Sequence, residues 1–363
     1  MSVATNTAGK GSSSKAVIAP QSAFTTGIAG TEVLTFNSES IIPDTAVLEA
    51  EYLAGRVGRE DLIASVKAAA GSIGGECVYD TIAGAPLGWE YMMKAALGFG
   101  QQDDTNTDNE YTPSNNLTES YTIGIDKGVS VWDTIGAKVN TLEISGAMGE
   151  KTLWNAGIVG RTVLRTGEAG IVNTAASIAA LAPTAKPQLI LLENANFYLR
   201  DIAAAITTGA ASADKVAIQS FTLSIDNALS EGSYGTCDDG HLDPLFGLEP
   251  VRDGIRQVNL GLSFPRYHED TWLDGFSAGT FFQGQFDFVL GTDQFSIYLP
   301  LMKIAETPTA PVDGPSFIQH DVTFACLING GTNTFMTFPT GGTPHTIDFE
   351  LGMRTNNART AVL

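Results

Sequence analysis

The strongest constraint on this chain is that one succession of segments occurs twice. Ser72-Ile-Gly-Gly-Glu-Cys-Val-Tyr79 reads as a strand after a polar turn, and Gln257-Val-Asn-Leu-Gly-Leu-Ser-Phe264 reads the same way 185 positions later. A short amphipathic stretch follows each, marked by Trp89 and by Trp272, 183 positions apart. Residues 139–145 and 318–324 both alternate apolar and polar side chains, at an offset of 179. Ser40-Ile-Ile-Pro-Asp-Thr-Ala and Ser220-Phe-Thr-Leu-Ser-Ile-Asp lead into the two halves, at an offset of 180. Few residues are identical, so the shared order is the signal. Recurrence at one period is how two copies of a supersecondary unit read in a sequence. A doubled β-rich unit without evident catalytic groups suggests a building block rather than an enzyme.

Size and charge narrow the reading. With 363 residues, 43% hydrophobic and 17% charged, the chain is long enough for two units that each bury a core. Its net charge is −20, and the acidity is spread evenly. Residues 1–185 carry 11 Lys+Arg against 20 Asp+Glu, and residues 186–363 carry 9 against 20. Such a chain lacks the basic clusters that grip phosphates or anionic membrane surfaces. Cys77, Cys237 and Cys326 are too few and too scattered for a disulfide framework, which suggests reduced thiols and synthesis in a cytoplasm. The first residues lack a basic-plus-apolar leader, and no apolar run reaches the roughly 18–20 residues that span a bilayer.

Along the chain we expect a flexible arm over residues 1–15, a first β unit over 16–185, a connection over 186–215, a second β unit over 216–330 and an extension over 331–363. Pro86-Leu-Gly-Trp-Glu-Tyr-Met-Met-Lys-Ala-Ala-Leu97 is the clearest helix, with Leu87, Tyr91 and Ala95 on one face and Gly98 just past its end. Residues 101–119, rich in Asp, Asn and Thr, read as a loop too polar to pack. Residues 121–126, 129–132 and 138–145 alternate as antiparallel strands do, residues 175–183 read as linker, and residues 189–207 read as a bridging helix. In the second half, strands are expected over 221–225, 258–264, 281–290, 295–299 and 322–327.

Candidates for chemistry are weak. Cys237-Asp-Asp-Gly-His241 has only two of the roughly four ligands zinc needs. Ser233 lacks the Gly-x-Ser-x-Gly spacing, and Gly9-Lys-Gly-Ser12 lacks the leading Gly and preceding strand of a phosphate loop. His268, Asp270 and Asp239 are the best acid–base set available, and their spacing fits no known arrangement. His320 and His345 have no evident partners. Trp89 and Trp272 read as core anchors, while Trp132 and Trp154 suit either a core or an interface. No catalytic, cofactor or metal site is therefore assigned.

Several passages together carry a resemblance. They are Ser38-Glu-Ser-Ile-Ile-Pro43, Gly55-Arg-Val-Gly-Arg-Glu60, Gly71-Ser-Ile-Gly-Gly-Glu-Cys-Val-Tyr79 and Lys94-Ala-Ala-Leu-Gly98 in the first half. In the second half they are Phe221-Thr-Leu-Ser-Ile-Asp-Asn-Ala-Leu229, Phe295-Ser-Ile-Tyr-Leu-Pro-Leu-Met-Lys-Ile304, Pro311-Val-Asp-Gly-Pro315 and Asp321-Val-Thr-Phe-Ala-Cys-Leu327. Over residues 17–330 the chain resembles the tail tube (major tail) proteins of long-tailed bacteriophages, in their large form.

That resemblance implies a mainly β fold, with sandwich or barrel tube domains, a few short helices and a tandem duplication. It implies self-association into stacked rings, trimers with pseudo-sixfold symmetry or hexamers, that form a hollow tail tube. DNA passes through without specific binding, no cofactor or membrane is involved, and tape measure, terminator and tip proteins are the expected partners. The location would be the virion tail, after synthesis in the host cytoplasm. Residues 1–15 and 101–119 are the candidates for contact between rings. The alternatives are another β-rich virion protein, such as a tail terminator or capsid subunit, a carbohydrate-binding module using Tyr111, Tyr234 and Trp272, or an enzyme.

Overall fold

A computed structural model describes residues 11, 14–49, 62–79, 88–102, 108–181, 187–209, 211–230, 246–267, 270–310, 318–338 and 345–356. The fold is mainly β, and most strands belong to one antiparallel network. Alternation in the sequence explains why. In Gln257–Phe264 the residues Val258, Leu260, Leu262 and Phe264 are buried, while the residues between them are exposed or half-buried. A period of two places one side-chain set on each face of a sheet.

The two halves share one strand order. In the first, Ile42–Glu49 pairs with Leu62–Glu76, then Leu153–Gly160, then Val131–Ala147, then Ser120–Asp126. In the second, Ser220–Asp226 pairs with Gln257–Phe264, then His320–Cys326, then Asp293–Ile304, then Phe281–Leu290. In each half a helix lies in the chain between the second and third strands, Trp89–Leu97 in one and Thr271–Ala278 in the other. The halves meet where residues 141–147 pair with Ser220–Asp226, so the sheet runs unbroken across the junction.

Three of the four sequence correspondences thus occupy matching places. The fourth does not: residues 139–145 lie in the fourth strand of their half in chain order, whereas 318–324 run into the fifth. Strands at both places alternate apolar and polar residues, so alternation alone cannot separate neighbouring strands.

Other expectations change as well. Asp108–Pro113, read as loop, is a strand between Gly98–Gln102 and Gly352–Asn356. It packs because its polar groups find partners: Tyr111 Oη donates to Glu90 Oε2 at 2.6 Å, and Asp108 pairs with Arg354. Within the stretch read as a helix, Ala195–Asp201 is a strand on the edge of Phe281–Leu290. Within the stretch read as linker, Ala175–Ala180 is a short helix, started by a capping box between Thr174 and Ser177. The strands read over 129–132 and 138–145 are one strand, Val131–Ala147, with register shifts inside it. From the expected extension, Gly352–Asn356 pairs with both Asp108–Pro113 and Asp293–Ile304, one strand from each half.

One apolar core runs through both halves, from Ala16 to Met353. Trp154 and Trp89 are fully buried in it, and Trp132 lies half-buried beneath the Lys127 ammonium, 3.8 Å from the ring centre. Rings of this size bury roughly 150–250 Å² each. Around the core, four cations fasten residues 114–119. Arg256 Nη1 donates to Ser114 O at 2.8 Å, Arg252 Nη1 to the same oxygen at 3.3 Å and Lys138 Nζ to Leu117 O at 2.7 Å, while Lys94 pairs with Glu119 at 3.0 Å. This part of the stretch expected to reach between rings is therefore held within the chain.

Candidate functional site

The strands that cross the junction give the sheet two unlike faces. One carries Ile73, Trp154, Ala156, Leu142, Ile144, Leu223, Leu260 and Phe324 into the core. The other is read from the registers as rows of paired residues, each row crossing both halves. One row runs Glu76, Leu153, Ser145, Thr222, Gly261, Thr323. The next runs Gly74, Asn155, Glu143, Ser224, Asn259, Ala325, and a third runs Ser72, Gly157, Thr141, Asp226, Gln257. A shorter row joins Ala147, Ser220, Ser263 and Asp321. All these residues except Gly74 are exposed or half-buried.

The composition of this face is its chemistry. Its side chains are small and neutral or acidic, with Leu153 the largest apolar one, and none is Lys or Arg. Glu76 is held by Lys151 from the adjoining turn. Among the described residues, Glu143, Asp226 and Asp321 form no ion pair. Lys303, opposite Ala325, stands at the margin of the rows. Proteins hold nucleic acid by neutralising phosphates with Lys and Arg and by stacking aromatic rings on bases. This face offers neither; its charged side chains, Glu76, Glu143, Asp226 and Asp321, are acidic.

Several of the described cations lie inside the protein. Arg256 and Glu350 form a buried pair at 2.6 Å, and Lys138 pairs with Glu249 at 2.5 Å. Arg252 Nη2 donates to Asn227 Oδ1 at 3.1 Å, and Asn227 Nδ2 donates to Ala96 O at 2.8 Å. Ala228, whose φ of 49° is the one positive value at a non-glycine among the described residues, follows in this fastened turn.

Of the residues considered for catalysis, the side chains of Asp270 and His320 are described. Cys237, Asp239, His241, Ser233, Tyr234, His268 and the stretch 9–10 with Ser12 lie outside the described residues. Asp270 is exposed and accepts a hydrogen bond from Tyr267 Oη. His320 is buried against the rings of Tyr267 and Phe264. Burial pushes the Cys77 and Cys326 thiols well above the ordinary range, the reverse of an activated nucleophile. Of the aromatic residues considered for glycan binding, Tyr111 is fully buried and Trp272 is stacked on Phe264 at 5.1 Å. Among the described residues no three His, Cys, Asp or Glu side chains come together as metal ligands, and no helix is long and apolar enough to cross a membrane.

The sequence reading missed the polar face as a site, although its signal was present. The polar residues at the positions that form the rows are Ser, Thr, Asn, Gln, Asp and Glu. No curated protein matches the chain at significant similarity. The model of a protein family described as phage tail tube protein matches residues 11–326. The chain belongs to the phage tail tube protein family, and is a structural protein of the virion tail.

Proposed function

We propose that the polar face lines the channel of a tube built from stacked rings of this chain, and that DNA slides along it. The observation that carries this reading is the face of small, neutral and acidic side chains that crosses both halves, acidic at Glu143, Asp226 and Asp321, with Lys303 at its margin. Like charge keeps a polyanion from adhering, and small side chains leave few places for it to lodge. A sheet that crosses the junction unbroken supports closure through further edge pairing between chains, because open strand edges are association sites that a ring satisfies.

The recurring strand order supports a tandem duplication of the tube unit. On that reading one chain supplies two of six positions, and three chains close a ring with pseudo-sixfold symmetry. The tube serves DNA ejection from a long-tailed phage, in company with tape measure, terminator and tip proteins.

Negative-stain microscopy of concentrated protein, with ring mass by native mass spectrometry, tests the architecture. Hollow tubes and three-chain rings are expected, and six-chain rings exclude the duplicated arrangement. The lining is tested by Glu143→Lys combined with Asp226→Lys. Tubes of that variant should retain double-stranded DNA at low salt, with release on raising the salt. Variant tubes that retain no more DNA than the parent remove this face from the channel.

A further inference from the structure

Gly352–Asn356 stands between strands of different halves, pairing with Asp293–Ile304 over 294–298 and with Asp108–Pro113 over 108–111. It lies beyond residues 11–326, the part that matches the family model. Its side chains alternate. Leu351, Met353 and Thr355 are buried, and the first two join the same core as Tyr111, Phe295 and Ile297. Between them Arg354 pairs with Asp108. The two halves hold this strand by different means. On the second half, the segment leading to it is tied down by buried amides. Asn333 Nδ2 donates to Pro300 O at 2.7 Å and to Gln283 Oε1 at 3.0 Å, and Asn329 Nδ2 donates to Ile347 O at 2.9 Å. Met336, Phe338 and Ile347 pack around Tyr298, and a Cβ on Gly352 would lie 2.7 Å from the Phe338 ring. On the first half, the hold is the strand pairing, the Arg354–Asp108 ion pair, and Glu350 through Arg256, which donates to Ser114 O. Among the described residues, Arg354 Nε and Thr355 Oγ1 are buried without a hydrogen-bond partner. Unmet buried groups lower the cost of local opening.

We propose that the edge of Asp108–Pro113 is a strand-docking surface, and that Gly352–Asn356 is its occupant, a latch carried by the second half that releases the first without unfolding of the chain. The segment that fits this edge is extended, with apolar residues at alternate positions and an arginine between them. Main-chain pairing supplies affinity, Tyr111 the apolar contact and Asp108 the charge. While the latch is open, the halves stay joined where residues 141–147 pair with Ser220–Asp226. While it is shut, it covers an edge that would otherwise invite unrelated strands. The proposal concerns the single chain and does not depend on the channel reading.

Hydrogen exchange of the full chain tests the latch. Amides of residues 109–112 should exchange about tenfold faster than those of 142–146 and 221–225 at the junction. Equal protection at the two places overturns the proposal. Arg354→Ala should quicken exchange at 109–112 about tenfold further, with no change at 142–146. Equal quickening at the junction, or none at 109–112, also overturns it. The docking surface is probed with a fluorescent synthetic peptide of residues 348–358. It should bind the Arg354→Ala chain saturably and the parent about tenfold more weakly, because the parent's own strand competes. The same peptide carrying Arg354→Glu should bind neither. A parent peptide that binds neither chain, or binding unaffected by Arg354→Glu in the peptide, rejects the edge as a docking surface.

Discussion

The helices Trp89–Leu97 and Thr271–Ala278 are alike in composition and unlike in fate. Each begins with or near a Trp, each follows the second strand of its half, and each ends at a left-handed glycine, Gly98 with φ 90° and Gly279 with φ 65°. The first is enclosed even at its charged positions, where Glu90 accepts from Tyr111 and Lys94 pairs with Glu119. The second remains open on its outer side. The difference teaches that an amphipathic stretch specifies one packed face and no more. Whether the other face is covered depends on what the rest of the chain, or another chain, brings to it.

Mutation can break this contrast, and the greatest effect is expected at Trp89. Trp89→Ala should cost about 4 kcal/mol in urea unfolding, because it empties a fully buried site. Trp272→Ala, at a half-buried site, should cost about 2 kcal/mol. Equal losses in the isolated chain would mean that the second helix is enclosed as the first is.

Next is the buried polar shell that closes over the first half. Arg256→Ala leaves Glu350 buried without its cation and should cost about 3 kcal/mol. Hydrogen exchange should then quicken around residues 114–119, which Arg256 fastens, with little change at residues 271–278. Uniform quickening across both helices would show that the shell is not specific to the first.

The glycine caps separate more finely. A methyl group at Gly98 would lie 2.6 Å from Leu117 Cδ2, so Gly98→Ala meets both backbone strain and a clash, about 2–3 kcal/mol together. At Gly279 the nearest atom is Lys303 Nζ at 3.2 Å, on a flexible side chain, so Gly279→Ala should cost only about 1 kcal/mol. The same urea titration measures both, and reversal of their order would contradict the crowding around the first helix. Smallest of all, Leu273→Ser should change monomer stability by less than about 0.5 kcal/mol, whatever it does to assembly.

Much of the fold was legible because burial on one side of a sheet imposes a period of two. Gln257–Phe264 follows the expected 258–264 to within one residue for that reason. Asp108–Pro113 escaped notice because its residues look like a loop; only Glu90 and Arg354, distant in the chain, make burial of such polar groups tolerable. Ala195–Asp201 was misread because its neighbours in sequence imitate a helical pattern, while the edge of Phe281–Leu290 decided the matter. The polar face was half legible. Its residues could be picked from each strand, but not their alignment into rows.

By itself, then, the sequence determined local periodicity, the recurrence of one order of elements and the acidic balance. These are properties of composition and near neighbours. Only the tertiary structure decided which strands adjoin, that one polar face crosses both halves, that the terminal strand Gly352–Asn356 joins them, and that one helix is enclosed while its counterpart is not. The physical reason is that pairing and cover arise between residues far apart in the chain. A strand's alternation specifies a face to bury, but its partners are chosen by register, by shape and by the satisfaction of every polar group enclosed with them.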